Sequence, residues 1–179
     1  MKKSIFIQIS SYHDYELPKT IDNFINNSSG KNDIFFGVHY VFENEDNIKI
    51  QNYNNIRFIA SKAPDNLSPG LGRYLAHSLY NNEDYYMVID SHSRVCKDWD
   101  ELLISDISYY KELGHNKPVL TSYPATYFYD VNGNEILKKY MSVAEPPTHW
   151  IENYPQWKCV ISKHFYAWYQ EITGRGQIF

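Results

Sequence analysis

The sequence predicts an α/β fold in which a mostly parallel sheet is flanked by helices. Short apolar runs rich in β-branched and aromatic residues alternate with segments whose apolar residues recur at helical spacing. The runs themselves have no helical period, so each is expected to form a buried strand. Because strands that alternate with helices are joined by crossover connections, neighbouring strands are expected to run parallel.

The predicted strands and one hairpin can be placed along the chain. The strands are the apolar runs at residues 5–9, 34–42, 56–60, 85–89 and 119–123. Further along, the dipeptide Asn132-Gly133 predicts a hairpin turn between extended segments at 127–131 and 135–137. Residues 144–157 contain Pro and are expected to form a loop.

Helical periodicity marks the connections between the strands. Thr20 is expected to cap the first helix. Apolar residues follow it at helical spacing, at Ile21, Phe24 and Ile25. The second helix is expected to carry the apolar residues Leu71, Tyr74, Leu75, Leu79 and Tyr80. Residues 99–110 are the third predicted helix.

Composition and charge argue against several classes of function. The formal net charge of the 179 residues is −4, whereas general nucleic-acid binding requires a basic surface. No apolar stretch is long enough to cross a membrane, and the first apolar run is interrupted by Gln8, unlike a signal peptide. Cys96 and Cys159 are too few for a disulfide framework or a cysteine-based zinc site. A cytoplasmic protein is therefore expected.

Asp90 and His92 follow the apolar run at 85–89 and are the first candidate site. Ligands of an open parallel sheet bind beyond the carboxyl ends of its strands. In an extended segment, residues two positions apart point to the same side. A carboxylate and an imidazole on one side can share a divalent cation with water and phosphate oxygens. The alternative is an aspartate that caps a turn beside a surface histidine.

Two further segments follow predicted strands. Gly70 and Gly72 allow a backbone to approach a ligand closely, and the helix that begins there offers free N–H groups. Arg73 adds a charge suited to phosphate, unless it is only a solvated helix residue. After the first strand, Tyr12 could stack on a base and Asp14 could hydrogen-bond a base or ribose, or both could be turn residues.

An ordered series of segments carries a family resemblance. The strongest segment is Tyr-Tyr-Met-Val-Ile-Asp-Ser-His-Ser-Arg at residues 85–94. The others are residues 5–14, 20–23, 34–38, Gly70 with Arg73-Tyr74, 99–100, 103–104 and 121–124. On these segments the chain resembles the GlcNAc-transferase family that includes the cytoplasmic Skp1 hydroxyproline GlcNAc-transferase.

The resemblance implies a GT-A-like, Rossmann-related fold and a UDP-sugar donor. It also implies a divalent cation, Mn²⁺ or Mg²⁺, with Asp90 and His92 as its ligands. Asp-Ser-His is likewise the metal motif of polypeptide GalNAc-transferases. Family members transfer GlcNAc to a hydroxyl, so the implied acceptor is a protein or a glycan. The implied donor-binding residues are Ser11, Tyr12, Asp14, Gly70, Arg73, Asp90 and Ser91.

The resemblance also sets expectations for organisation. The chain is expected to form a single domain, with residues 1–124 as the nucleotide-sugar-binding core and 125–179 as a C-terminal portion that is shortened relative to the family. His13 stands where the family usually has arginine, and no catalytic base is assigned. A module that binds the nucleotide-sugar without transferring it is the alternative function. An α/β scaffold that assembles with a partner chain is a more distant one.

Overall fold

The computed structural model describes residues 2–43, 54–65, 68–121, 127–137 and 173–175. Its centre is a four-stranded sheet with the order β3-β2-β1-β4, in which every neighbouring pair is parallel. The four strands are β1 (Ser4–Tyr12), β2 (Asp33–Phe42), β3 (Ile56–Lys62) and β4 (Tyr85–Asp90). This sheet confirms the predicted α/β fold class.

Helices cover both faces of the sheet. They are α1 (Leu17–Asn26), α2 (Pro69–His77) and α3 (Trp99–Glu112). The main core joins alternate residues of β1, β2 and β4 to α1 and α3, as in the cluster of Ile7, Phe36, Ile21 and Trp99. The opposite face packs against α2. Within the described ranges, no helix has the length and apolarity needed to cross a bilayer.

Shorter strands lie outside the central sheet. After β4 the chain turns into β5 (His92–Arg94), which pairs antiparallel with β8 (Thr173–Arg175). β6 (Tyr127–Tyr129) and β7 (Glu135–Leu137) form an antiparallel hairpin. Gly133 in its turn has a φ of 80°, which glycine adopts without strain. The hairpin predicted from Asn132-Gly133 is therefore confirmed.

The strand order places a topological switch point between β1 and β4. From β1 the chain moves outward through α1 to β2 and then β3, and it returns through α2 to β4 on the other side of β1. Parallel doubly wound sheets bind ligands in the crevice beyond the strand ends at such a point. The carboxyl ends of β1 and β4 are adjacent, since Ser10 and Asp90 are register partners.

Two predictions about the helices are wrong. Thr20 does not cap α1, because the helix begins at Leu17 with Glu16 as its N-cap residue, and Thr20 is fully buried inside it. Helix α2 does not bury the predicted apolar residues. Leu71 and Tyr74 are exposed, whereas the small residues Gly72 and Ala76 face the sheet because α2 lies close to it.

The fifth predicted strand, at residues 119–123, is not present in residues 119–121, which are the part of it that the structure describes. Residues 119–121 are irregular, and residues 122–123 lie outside the described residues. Pro118, which precedes this run, has no amide hydrogen to donate to a strand. Val119 instead lines a groove of about 490 Å³ beside β4, together with Met87 of that strand. The predicted loop at 144–157 lies outside the described residues.

Candidate active site

Residues that follow β1 and β4 meet at the switch point. Asp14 comes two residues after the end of β1. Asp90 ends β4, Ser91 forms the turn, and His92 begins β5. The hydroxyl of Ser91 donates to Asp14 Oδ2 at 2.6 Å, and His92 Nδ1 lies 2.8 Å from the same oxygen. Segments separated by more than seventy residues therefore form one cluster.

The Asp14 carboxyl is held by three neighbours. Besides Ser91 and His92, the backbone N–H of Glu16 donates to its Oδ1 at 2.9 Å. Burial alone would raise the pKa of Asp14, but hydrogen bonds from His92, Ser91 and the Glu16 backbone outweigh it and lower the pKa to about 2. Asp14 is therefore a carboxylate near neutral pH.

Helix α1 fixes the segment that carries the cluster. The buried hydroxyl of Thr20 donates to the carbonyl oxygen of Ser91 at 2.6 Å. One turn further along α1, Asn23 Oδ1 accepts a 2.8 Å hydrogen bond from the backbone N–H of Val95. These two contacts satisfy backbone groups on both sides of β5, so the position of His92 depends on α1.

Arg94 connects the same segment to the β6–β7 hairpin. Its buried guanidinium pairs with Glu16 and, at 2.8 Å, with Glu135. It also lies over the ring of Tyr127, with 4.5 Å from Cζ to the ring centroid, and donates to the hydroxyl of Tyr129 at 3.1 Å. A buried arginine needs such partners because an unpaired charge in the interior is costly.

Glu16 and Thr20 are the residues of this site that sequence reasoning misses. The sequence predicts Thr20 only as a helix cap and gives Glu16 no role, yet each contacts the segment after β4. The sequence carries no signal for these contacts, because their partners are more than seventy residues away. The proximity follows only from the pairing of β1 with β4.

Each of the two predicted metal ligands has a ligand atom at this edge that makes no hydrogen bond to the described residues. Asp90 is exposed, and none of the described residues donates a hydrogen bond to its carboxylate. His92 uses Nδ1 for its contact with Asp14, and its Nε2 has no hydrogen bond within the described residues. The described ranges hold no group of three or more His, Cys, Asp or Glu side chains arranged around a metal position.

The other predicted donor residues differ in their surroundings. Tyr12 is half exposed, and its hydroxyl donates to Glu43 Oε1 at 2.6 Å. Ser11 is buried, and its hydroxyl has no partner in the described part of the chain. His13 has a φ of 44° and donates its backbone N–H to the carbonyl oxygen of Val41 at 3.0 Å.

The first turn of α2 lies at the same edge of the sheet. Gly70 is exposed, and among the described residues a Cβ there would meet Ser68 Oγ alone, at 3.7 Å. A Cβ on Gly72 would lie 2.2 Å from Ser10 Oγ, so this glycine serves the packing of α2 on the sheet. The side chain of Arg73 is exposed, and its carbonyl oxygen accepts a hydrogen bond from Gln8 Nε2.

Fold and site together define a class of protein. A doubly wound parallel sheet binds its ligand at the switch point, and in this chain acidic and histidine side chains lie there. The family model described as Glycosyltransferase (GlcNAc) matches residues 39–145, which is more than half of the chain. The chain therefore belongs to this glycosyltransferase family. No individual curated protein matches it.

The family match covers part of the candidate site. Gly70, Arg73 and the Asp90–His92 segment lie inside the matched range, which begins at His39 in β2. β1 and Asp14 lie before the matched range, so the family match does not cover them. Membership implies a sugar donor and an acceptor as the partners of this chain.

Proposed function

We propose that the protein transfers a sugar from a UDP-sugar to a hydroxyl of a protein or glycan acceptor, and that this sugar is GlcNAc. Asp90 and His92 hold a divalent cation, Mn²⁺ or Mg²⁺, together with the donor diphosphate. The observation that carries this proposal is the position of Asp90 and His92 at the switch point. Neither the Asp90 carboxylate nor His92 Nε2 has a hydrogen bond to any of the described residues.

The donor set suits such a cation. A carboxylate oxygen and an imidazole nitrogen are ligands that Mn²⁺ accepts readily, and diphosphate and water oxygens can fill the remaining positions. Among the described residues, Asp90 and His92 are the two protein ligands that we propose, and within these ranges the remaining positions are left to diphosphate and water oxygens. When bound, the cation would neutralise the charge that develops on the diphosphate leaving group.

The chain's own residues bind and orient the donor. Arg73 and the N-terminal end of α2 place positive charge at the sheet edge, where a diphosphate carries negative charge. The half-exposed ring of Tyr12 offers a face on which a base can stack. Ser11, Asp14, Gly70 and Ser91 remain donor-side candidates by their resemblance to the family segments. A cytoplasmic location remains a prediction.

A transfer assay tests the proposal. Purified protein is incubated with UDP-GlcNAc and Mn²⁺, and release of UDP is measured with and without a hydroxyl acceptor and after chelation of the metal. Asp90→Asn and His92→Gln are each expected to lower turnover by about a hundredfold or more, because each removes a metal ligand. Activity is expected to vanish on chelation and to return with added Mn²⁺.

Matched substitutions outside the site serve as controls. Asp33→Asn and His115→Gln change exposed residues near the opposite end of the sheet and are expected to leave turnover unchanged. Full activity of the Asp90→Asn, His92→Gln double variant would rule out the mechanism. UDP binding without turnover on any acceptor would favour the alternative of a nucleotide-sugar-binding module.

A further inference from the structure

We propose that Asp14 is a positioning residue that holds His92 with its proton on Nδ1, so that Nε2 faces the cation shared with Asp90. This inference rests on the proposed function and adds a residue to it. Its basis is the 2.8 Å contact between Asp14 Oδ2 and His92 Nδ1, which joins the end of β1 to the end of β4.

The direction of the hydrogen bond follows from what each atom can do. A carboxylate oxygen only accepts, so the nitrogen that faces it must carry the proton. A neutral imidazole carries one proton, and its other nitrogen then has a lone pair. The contact of Asp14 with His92 Nδ1 therefore leaves Nε2 as the atom that can bind a cation.

The carboxylate is itself fixed, which makes it a suitable support. Its two oxygens accept from the Glu16 backbone at 2.9 Å and from the Ser91 hydroxyl at 2.6 Å. Three contacts leave the Asp14 side chain little freedom, and the His92 ring that it holds is correspondingly restricted. Histidines that bind metals generally donate their other ring N–H to such a carboxylate or carbonyl group.

The same contacts distinguish positioning from direct donor binding. The side chain of Asp14 is 22% exposed and both its oxygens already accept hydrogen bonds, whereas that of His92 is 34% exposed and its Nε2 has no partner in the described part of the chain. These contacts occupy three of the about four lone-pair positions of the carboxylate, so little capacity remains for a base or ribose hydroxyl. Asp14 thus acts on the donor through His92.

The tautomer of His92 is the first readout. In ¹⁵N-labelled protein without metal, long-range proton–nitrogen correlation spectra at about pH 8.5 show which ring nitrogen carries the proton, because most histidines are neutral there. The wild-type protein is expected to show Nδ1–H for His92. Asp14→Ala is expected to convert it to the Nε2–H form, which does not depend on a partner at Nδ1.

Metal affinity is the second readout. Asp14→Ala is expected to weaken Mn²⁺ binding, measured by calorimetry, by about 10- to 100-fold. Asp14→Asn retains an oxygen that can accept from Nδ1 and is expected to restore the tautomer and most of the affinity. Asp33→Ala removes an aspartate at the amino end of β2 and is expected to change neither readout.

The outcomes separate the inference from the proposed function. An Nε2–H tautomer in the wild-type protein would overturn the role of Asp14, as would an Asp14→Ala variant with unchanged tautomer and unchanged Mn²⁺ affinity. A wild-type protein that shows Nδ1–H and binds no Mn²⁺ would overturn the metal site and uphold the pairing of Asp14 with His92. Both results together, Nδ1–H and Mn²⁺ affinity that depends on Asp14, support the whole proposal.

Discussion

Thr20 Oγ1 donates a 2.6 Å hydrogen bond to the carbonyl oxygen of Ser91 and accepts a 3.1 Å hydrogen bond from Arg94 Nη1. This hydroxyl thus connects α1 to the segment that carries the candidate metal ligands. Thr20→Val preserves the shape of the side chain and removes both hydrogen bonds. It is expected to lower the free energy of unfolding by about 1–3 kcal/mol, since two buried polar groups lose a partner.

Urea denaturation followed by circular dichroism measures this change. Thr20→Ser, which keeps the hydroxyl, is the matched control and is expected to lose less stability than Thr20→Val. If the valine variant were as stable as the wild type, the two hydrogen bonds of Thr20 would contribute nothing to the stability of the fold.

Arg94 is expected to be the most sensitive charged residue of the hairpin contact. Arg94→Met leaves Glu16 and Glu135 without their buried partner and is expected to lower the free energy of unfolding by about 3 kcal/mol. Lys19→Met also removes a cation from Glu16, but Lys19 is 57% exposed, so a loss below about 1 kcal/mol is expected. Equal losses in denaturant unfolding would contradict this ranking.

Glu16 is expected to make stability depend on pH in the acid range. Burial would raise the pKa of Glu16, but hydrogen bonds from Lys19, Tyr129 and Arg94 lower it from the ordinary 4.5 to about 2. The unfolded state therefore binds more protons between these values, and the stabilisation is present above pH 4.5 and is lost as the pH falls toward 2.

Glu16→Gln isolates this contribution. The wild-type protein is expected to be more stable than the variant by about 2 kcal/mol above pH 4.5, a value reduced for partial exposure, and the difference is expected to shrink as the pH falls. Denaturation curves of both proteins across this range provide the measurement. A difference that stayed constant or grew at low pH would contradict the lowered pKa.

Arg73 is expected to contribute charge to donor binding without supporting the fold. Arg73→Ala is expected to weaken UDP binding by about tenfold, with an effect that decreases as salt concentration rises, because the side chain is exposed. Calorimetry measures the affinity, and thermal unfolding is expected to be unchanged. Lys2→Ala, at the amino end of the sheet, is the control for a general loss of positive charge.

The central sheet could be predicted because its signal is local. The apolar runs around Ile7, Val38 and Ile89 are buried, as expected for strands that are covered on both faces. Asp90 could be placed at a strand end for the same reason. The parallel order then follows from the alternation of strands and helices.

The contacts that complete the site could not be predicted, because they join distant parts of the chain. Thr20 has the residue type of a helix cap, yet its partner Ser91 is brought to it only by the pairing of β1 with β4. Leu71 and Tyr74 fit an apolar helical face, yet Gly72 allows α2 to approach the sheet through its small residues. Tertiary packing thus overrides the local pattern at both positions.

Calorimetric titration of UDP into the protein, with and without Mn²⁺, tests the central claim most directly, because it requires no acceptor. We expect UDP to bind in the presence of Mn²⁺ and to lose at least tenfold in affinity without the metal or in Asp90→Asn and His92→Gln. UDP binding that is equally tight with and without Mn²⁺, and unchanged in both variants, would contradict a metal-dependent donor site at Asp90 and His92.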